Sequence, residues 1–165
     1  MGMDVIGKDP ISEVGRYFRN NVWWWRPLAT YIVQEHTLLA VGCSHWQSNS
    51  GDGLNAEQSQ ALADALDADL ASGKVAQWAA EYAAEVAALP RETCWLCEGT
   101  GVRTDDIGVQ HGFNKPRDPE TGRGGCNGCS GIGTTEPPAA SYPFDVDNVR
   151  EFATFVRASG GFEIW

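Results

Sequence analysis

Two stretches decide how this sequence is read: Cys94-Trp95-Leu96-Cys97-Glu98-Gly99-Thr100-Gly101 and Cys126-Asn127-Gly128-Cys129-Ser130-Gly131-Ile132-Gly133. Each opens with a CxxC pair, and 28 residues lie between the pairs. Together the pairs supply four thiolates, the full complement of a tetrahedral zinc ion in a structural site. The CxxC turn lets both sulfurs face one point while backbone N–H groups support them. Cys94, Cys97, Cys126 and Cys129 are therefore read as the ligands of one structural Zn2+. Four cysteines leave no open coordination position, which argues against catalytic zinc. In an intracellular chain this spacing points to metal rather than to disulfides. A redox dithiol of the thioredoxin kind opens a helix after a strand, whereas Cys94 follows the helix breaker Pro90 and precedes glycines. His111, between the pairs, is read as a loop residue rather than as a replacement ligand.

Both stretches fit CxxCxGxG. That pattern resembles the cysteine-rich zinc module of DnaJ-type chaperones, in which paired repeats bind zinc at crossing hairpins. The resemblance covers residues 94–133 and implies the same four cysteine ligands. The glycines let the backbone curl beneath the metal with positive φ. The family module has four repeats and two metals; two repeats here imply one metal. No His-Pro-Asp tripeptide occurs, so neither a J domain nor a co-chaperone activity is implied. The rest of the chain resembles no named family, and its style is compatible with a small phage or actinobacterial protein.

Outward from the repeats the composition changes. Ten of the nineteen glycines fall between Gly99 and Gly133, with few large apolar residues, so this stretch cannot build its own core. On the N-terminal side, Met3–Gly7 and Tyr17–Arg19 are strand candidates and Asn20-Asn21 a turn. Pro27 suits a first helical position, which predicts a helix over about Pro27–His36. Leu38–Val41 reads as a strand and Gln47–Gly53 as a loop. Asn55 with Gln58 makes a capping box for a helix carrying Leu62, Leu66 and Leu70, ended by Gly73. Val75, Trp78, Tyr82, Val86 and Leu89 line a further helix, and the two are expected to pack as an antiparallel hairpin. After the repeats, Thr134–Pro143 is a connector. Asp145 or Asp147 caps a last helix carrying Val149, Phe152, Phe155 and Val156. Phe162–Trp165 is a closing strand that docks back on the N-terminal strands. The fold class is α+β: a small mixed α/β domain with a helical hairpin and an inserted DnaJ-like zinc module. The expected divisions are 1–90, 91–134 and 135–165.

The 165 residues carry twelve basic and twenty-two acidic side chains, net −10. The three divisions carry net −6, −1 and −3, so none is a basic patch and phosphate-backbone binding is disfavoured. No apolar run approaches the roughly 18 residues a membrane span needs. The opening residues lack the pattern of a secretory signal, so a cytoplasmic location is expected.

Two other places invite a functional reading. Trp23, Trp24 and Trp25 cannot all face one core if the run is a strand, which leaves at least one for a partner, although internal packing is the commoner use of such residues. Cys43 with His45 permits a nucleophile pair in the Cys43–Gly53 loop, against the usual fate of a lone cysteine as core. The leading expectation is non-enzymatic: structural zinc supporting a surface that binds a protein partner. The alternatives are an acidic phage-type inhibitor of a host nucleic-acid enzyme and a hydrolase using Cys43 and His45.

Overall fold

In the opening strand, Met3 and Val5 are buried while Ile6 is exposed, the two-residue period of a strand with one covered face. The computed structural model describes residues 2–165. In chain order its elements are β1 (Gly2–Gly7), β2 (Tyr17–Asn21), α1 (Val22–Glu35), α2 (Thr37–Ala40), β3 (Asp52–Leu54), α3 (Ala56–Ser72), α4 (Lys74–Ala88), β4 (Glu92–Thr93), α5 (Asp106–Gln110), β5 (Thr134–Thr135), α6 (Val146–Ala158) and β6 (Phe162–Ile164). Short 3-10 turns occupy Glu13–Gly15 and Pro138–Ser141. Six helices and a small antiparallel sheet make the chain a mixed α+β protein. It divides into two compact units, Met1–Val86 with Ser141–Trp165, and Ala87–Ala140.

The first unit is built on the antiparallel sheet β2-β1-β6-β3. The closing strand lies inside this sheet, with Ile164 opposite Val5 of β1 and Phe162 opposite Leu54 of β3. The sheet's inward residues join Trp25, Leu28 and Ile32 of α1, Leu62 and Leu66 of α3, and Phe152 and Phe155 of α6 in one apolar cluster. Asp145 caps α6, its side chain accepting from the Asp147 N–H.

Four local expectations are corrected. The first helix begins at Val22, five residues before Pro27, because the Asn21 side chain caps it by accepting from the N–H groups of Trp23 and Trp24. Asn20 and Asn21 therefore end a strand and start a helix; they are not a free turn. Leu38–Val41 is the end of a helical turn rather than a strand, and Leu38 and Val41 are exposed. The Gln47–Gly53 loop gives up Asp52 and Gly53 to β3.

The capping box at Asn55 and Gln58 is present, and α3 closes at Gly73 with φ 82°. However, α3 packs along α6 rather than along α4. Arg157 of α6 ties the two together through Asp64 and Asp67, both at 2.7 Å. On α4 only Val75 is fully buried. Its aromatic residues Trp78 and Tyr82 stack on each other and lie against Phe144, with Trp78 also meeting Tyr31 edge-on.

Candidate metal centre

In the second unit the two repeats adopt the same backbone path. Glu98 and Ser130, at the position after each CxxC, both take φ 51°. Each repeat then closes against the other: the Cys94 N–H donates to the Gly133 carbonyl at 2.9 Å, and the Cys126 N–H to the Gly101 carbonyl at 3.0 Å. The last glycine of each repeat is required by this crossing. Gly101 and Gly133 sit at φ 74° and 99°, and a methyl group on either would run into a carbonyl of the opposite repeat, Gly131 or Gly99. The antiparallel pair β4 and β5 brings the flanks of the repeats together, Thr93 opposite Thr134.

This crossing collects the sulfurs. All four cysteines are buried, and their Sγ atoms lie within 4.8 Å of one another. Cys94 and Cys126 are 4.0 Å apart at sulfur, and Cys97 and Cys129 3.7 Å. A tetrahedron with metal–sulfur bonds of about 2.3 Å places its sulfurs about 3.8 Å apart. A disulfide needs about 2.05 Å, so none of these contacts is one. The second sulfur of each pair accepts a backbone N–H, Cys97 from Gly101 at 3.3 Å and Cys129 from Gly133 at 3.1 Å. These donors suit thiolates. Burial is the main force that pushes the Cys94 and Cys126 thiols up, Cys126 to about 11. At Cys97 burial is outweighed by the Gly101 N–H and by hydrogen bonding from the neighbouring thiols, which bring it down to about 7. The donor set, its spacing and its dry surroundings fit a metal ion, and Cys94, Cys97, Cys126 and Cys129 are the residues that can hold it.

Two arginines frame the cluster, and the motif does not announce either. Arg103, nearly buried, reaches both oxygens of Asp105 at 2.7 and 2.9 Å and the Asn127 Oδ1 inside the second CxxC at 3.1 Å. The Arg103 guanidinium is the main reason that Asp105 stays ionised below its ordinary range. Asp105 also caps α5 by accepting the Gly108 N–H at 2.7 Å. Arg117 bonds carbonyls of both repeats. Neither arginine belongs to the CxxCxGxG pattern, so only the fold reveals them. His111 is exposed and lies against Phe113, outside the sulfur cluster.

The other sites separate. Trp25 is withdrawn from the partner-binding reading: on a helix it turns fully inward, stacks with Trp46 and donates its Nε1–H to the Trp46 carbonyl at 2.6 Å. Trp24 is half-buried, while Trp23 is about half exposed against Tyr142. Cys43 is buried, and burial pushes its thiol up to about 11. The His45 ring bonds Asp52 at 3.0 Å, and Asp52 also accepts the Ser44 and His45 N–H groups. Cys43 thus has a raised thiol, and His45 pairs with a carboxylate. No described helix is long and apolar enough to cross a membrane. No family model, curated protein or solved structure matches the chain.

Proposed function

We propose that the chain is a non-enzymatic zinc protein, in which Cys94, Cys97, Cys126 and Cys129 hold one structural Zn2+ that orders residues 87–140. The observation that carries this reading is the meeting of four buried sulfurs within 4.8 Å of one another. Zinc is the ion of choice because four soft thiolates in a closed tetrahedral set are its usual structural environment. The DnaJ-type likeness rests on the two CxxCxGxG repeats and agrees with their crossed closure. We further infer that the ordered unit presents a surface to a protein partner. Trp95, between the first two ligands, is 81% exposed, and an indole so displayed is suited to an interface. Trp23 and Trp24 remain secondary candidates for the same role. The acidity of the chain, with net charge −10, disfavours nucleic acid as that partner.

Elemental analysis of the purified chain after metal-replete expression tests the reading. One zinc per chain is expected. Two zinc ions, or none, contradict it.

A further inference from the structure

Arg117 lies within the 28 residues that join the two CxxC pairs, and its side chain reaches both repeats. Its Nε donates to the Thr100 carbonyl at 2.7 Å. Its Nη2 donates to the Ile132 carbonyl at 3.1 Å and to the Gly99 carbonyl at 3.4 Å. Thr100 and Ile132 hold the same place in their repeats, between the two glycines. One planar group therefore bonds the two halves at equivalent points. The Nη2 atom lies 3.0 Å from where a Cβ would stand at Gly101, and at the same distance at Gly133. The glycines that let the repeats cross also make room for the guanidinium.

The loop beneath Arg117 is itself fixed. Asp118 accepts the N–H groups of Glu120 and Thr121 at 2.9 and 2.8 Å, and its backbone N–H bonds the Arg123 carbonyl at 2.8 Å. The third arm of the guanidinium, Nη1, donates to the Gly122 carbonyl of that same turn at 2.6 Å. Arg117 thus joins three segments: the first repeat, the second repeat and its own turn.

We propose that Arg117 is the positioning residue of the four-cysteine centre. It pins the repeats at the separation where four sulfurs meet one ion, and so sets how tightly the metal is held. This rests on the zinc reading above. Each CxxC turn can form locally, but bringing two of them together costs loop-closure entropy. It also turns carbonyl oxygens of both repeats toward one point, where their dipoles repel. A cation with forked donors between them offsets that repulsion and fixes their spacing. A lysine keeps the charge but lacks the rigid fork. Arg123, in the same loop, carries an equal charge, but its side chain makes no hydrogen bond or ion pair with the described residues.

The test measures zinc affinity of the full chain by competition with a chromophoric chelator, and coordination from the visible absorption of the cobalt-loaded form. Arg117→Ala is expected to weaken zinc binding about tenfold, in line with residues that orient metal ligands, while saturating cobalt still gives the four-thiolate spectrum. Arg117→Lys is expected to stay weak, and Arg123→Ala to match the unmodified chain. Unchanged affinity in Arg117→Ala overturns the proposal. Full affinity in Arg117→Lys, or an equal loss in Arg123→Ala, reduces the effect to charge and also overturns it. An unmodified chain that takes up no zinc removes the reading beneath. A second measurement needs no variant: in the zinc-loaded chain the Arg117 Nε–H is expected to exchange with solvent more slowly than that of Arg123. Equal exchange at the two arginines contradicts the clamp.

Discussion

Cys43 and Trp25 show how far one residue's setting decides its chemistry. At Cys43, burial lifts the thiol to about 11 against the pull of the His45 backbone N–H, so at neutral pH almost no thiolate is present to react. In the zinc-loaded chain, alkylation of Cys43 is therefore expected to be slow at pH 7 and to accelerate as pH rises toward 11. Rapid alkylation at pH 7, followed by peptide mass mapping, contradicts this. The core role of Cys43 was legible because cysteine after an apolar run is usually buried. Trp25 was harder. Its direction depends on whether Trp23–Trp25 turn by 100° per residue or alternate, and the decision lies with Asn21. Pro27 drew the expected helix start to itself, because it suits a first turn. The Asn21 cap prevails, and the proline sits inside the helix.

Among the elements, those defined by neighbouring residues were legible. The Asn55–Gln58 capping box and the Asp145 cap are each complete within three residues. What holds the elements to one another was not. Asp69 of α3 accepts from the Tyr31 hydroxyl at 2.6 Å, meets His36 at 2.8 Å, and pairs with Lys74 at 3.2 Å. Tyr31 and His36 are 38 and 33 residues away in sequence, beyond any local pattern. Lys74 also pairs with Glu35 at 3.0 Å, which ties the start of α4 to the end of α1. Burial works against the Asp69 carboxylate, but the Tyr31 and Lys74 hydrogen bonds and the His36 ring outweigh it and hold its pKa below the usual range. A carboxyl whose folded pKa is depressed contributes stability above its unfolded value, near pH 3.9, and loses it as pH falls through the lower folded value. Asp69→Asn is therefore expected to cost about 1–3 kcal/mol at pH 7, by leaving buried donors poorly matched. The gap to the unmodified chain should narrow as pH falls below about 4. Denaturant unfolding at pH 7 and pH 3 measures both. A gap that is the same at the two pH values contradicts the assignment.

At the scale of the whole molecule, the two units differ in what can hold them together. The first has an apolar cluster drawing on five helices and the sheet, with Trp25, Tyr31, Phe152, Phe155 and Phe162 fully buried. In the second, the buried apolar cluster consists of the four cysteines, with Leu96 packed against it. Such a unit gains too little from burial to offset the entropy of ordering it. A structural zinc contributes roughly 10–16 kcal/mol of apparent binding energy in small zinc modules, which is enough. The repeats made this contrast legible in the sequence, since CxxCxGxG carries both the ligands and the glycines that cross them. The pairing of α3 with α6 was not legible, because an apolar stripe on a helix does not say which other stripe it meets.

Hydrogen exchange read by mass spectrometry, on the zinc-loaded chain and after removal of the metal by a chelator, tests the central claim most directly. The account predicts that chelation strips protection from peptides within residues 91–134, while α3 and α6, at Ala56–Ser72 and Val146–Ala158, keep theirs. Loss of protection throughout the chain in one step would mean that the two units share a single stability. Unchanged protection within residues 91–134 would mean that the four cysteines hold no ion on which that unit depends.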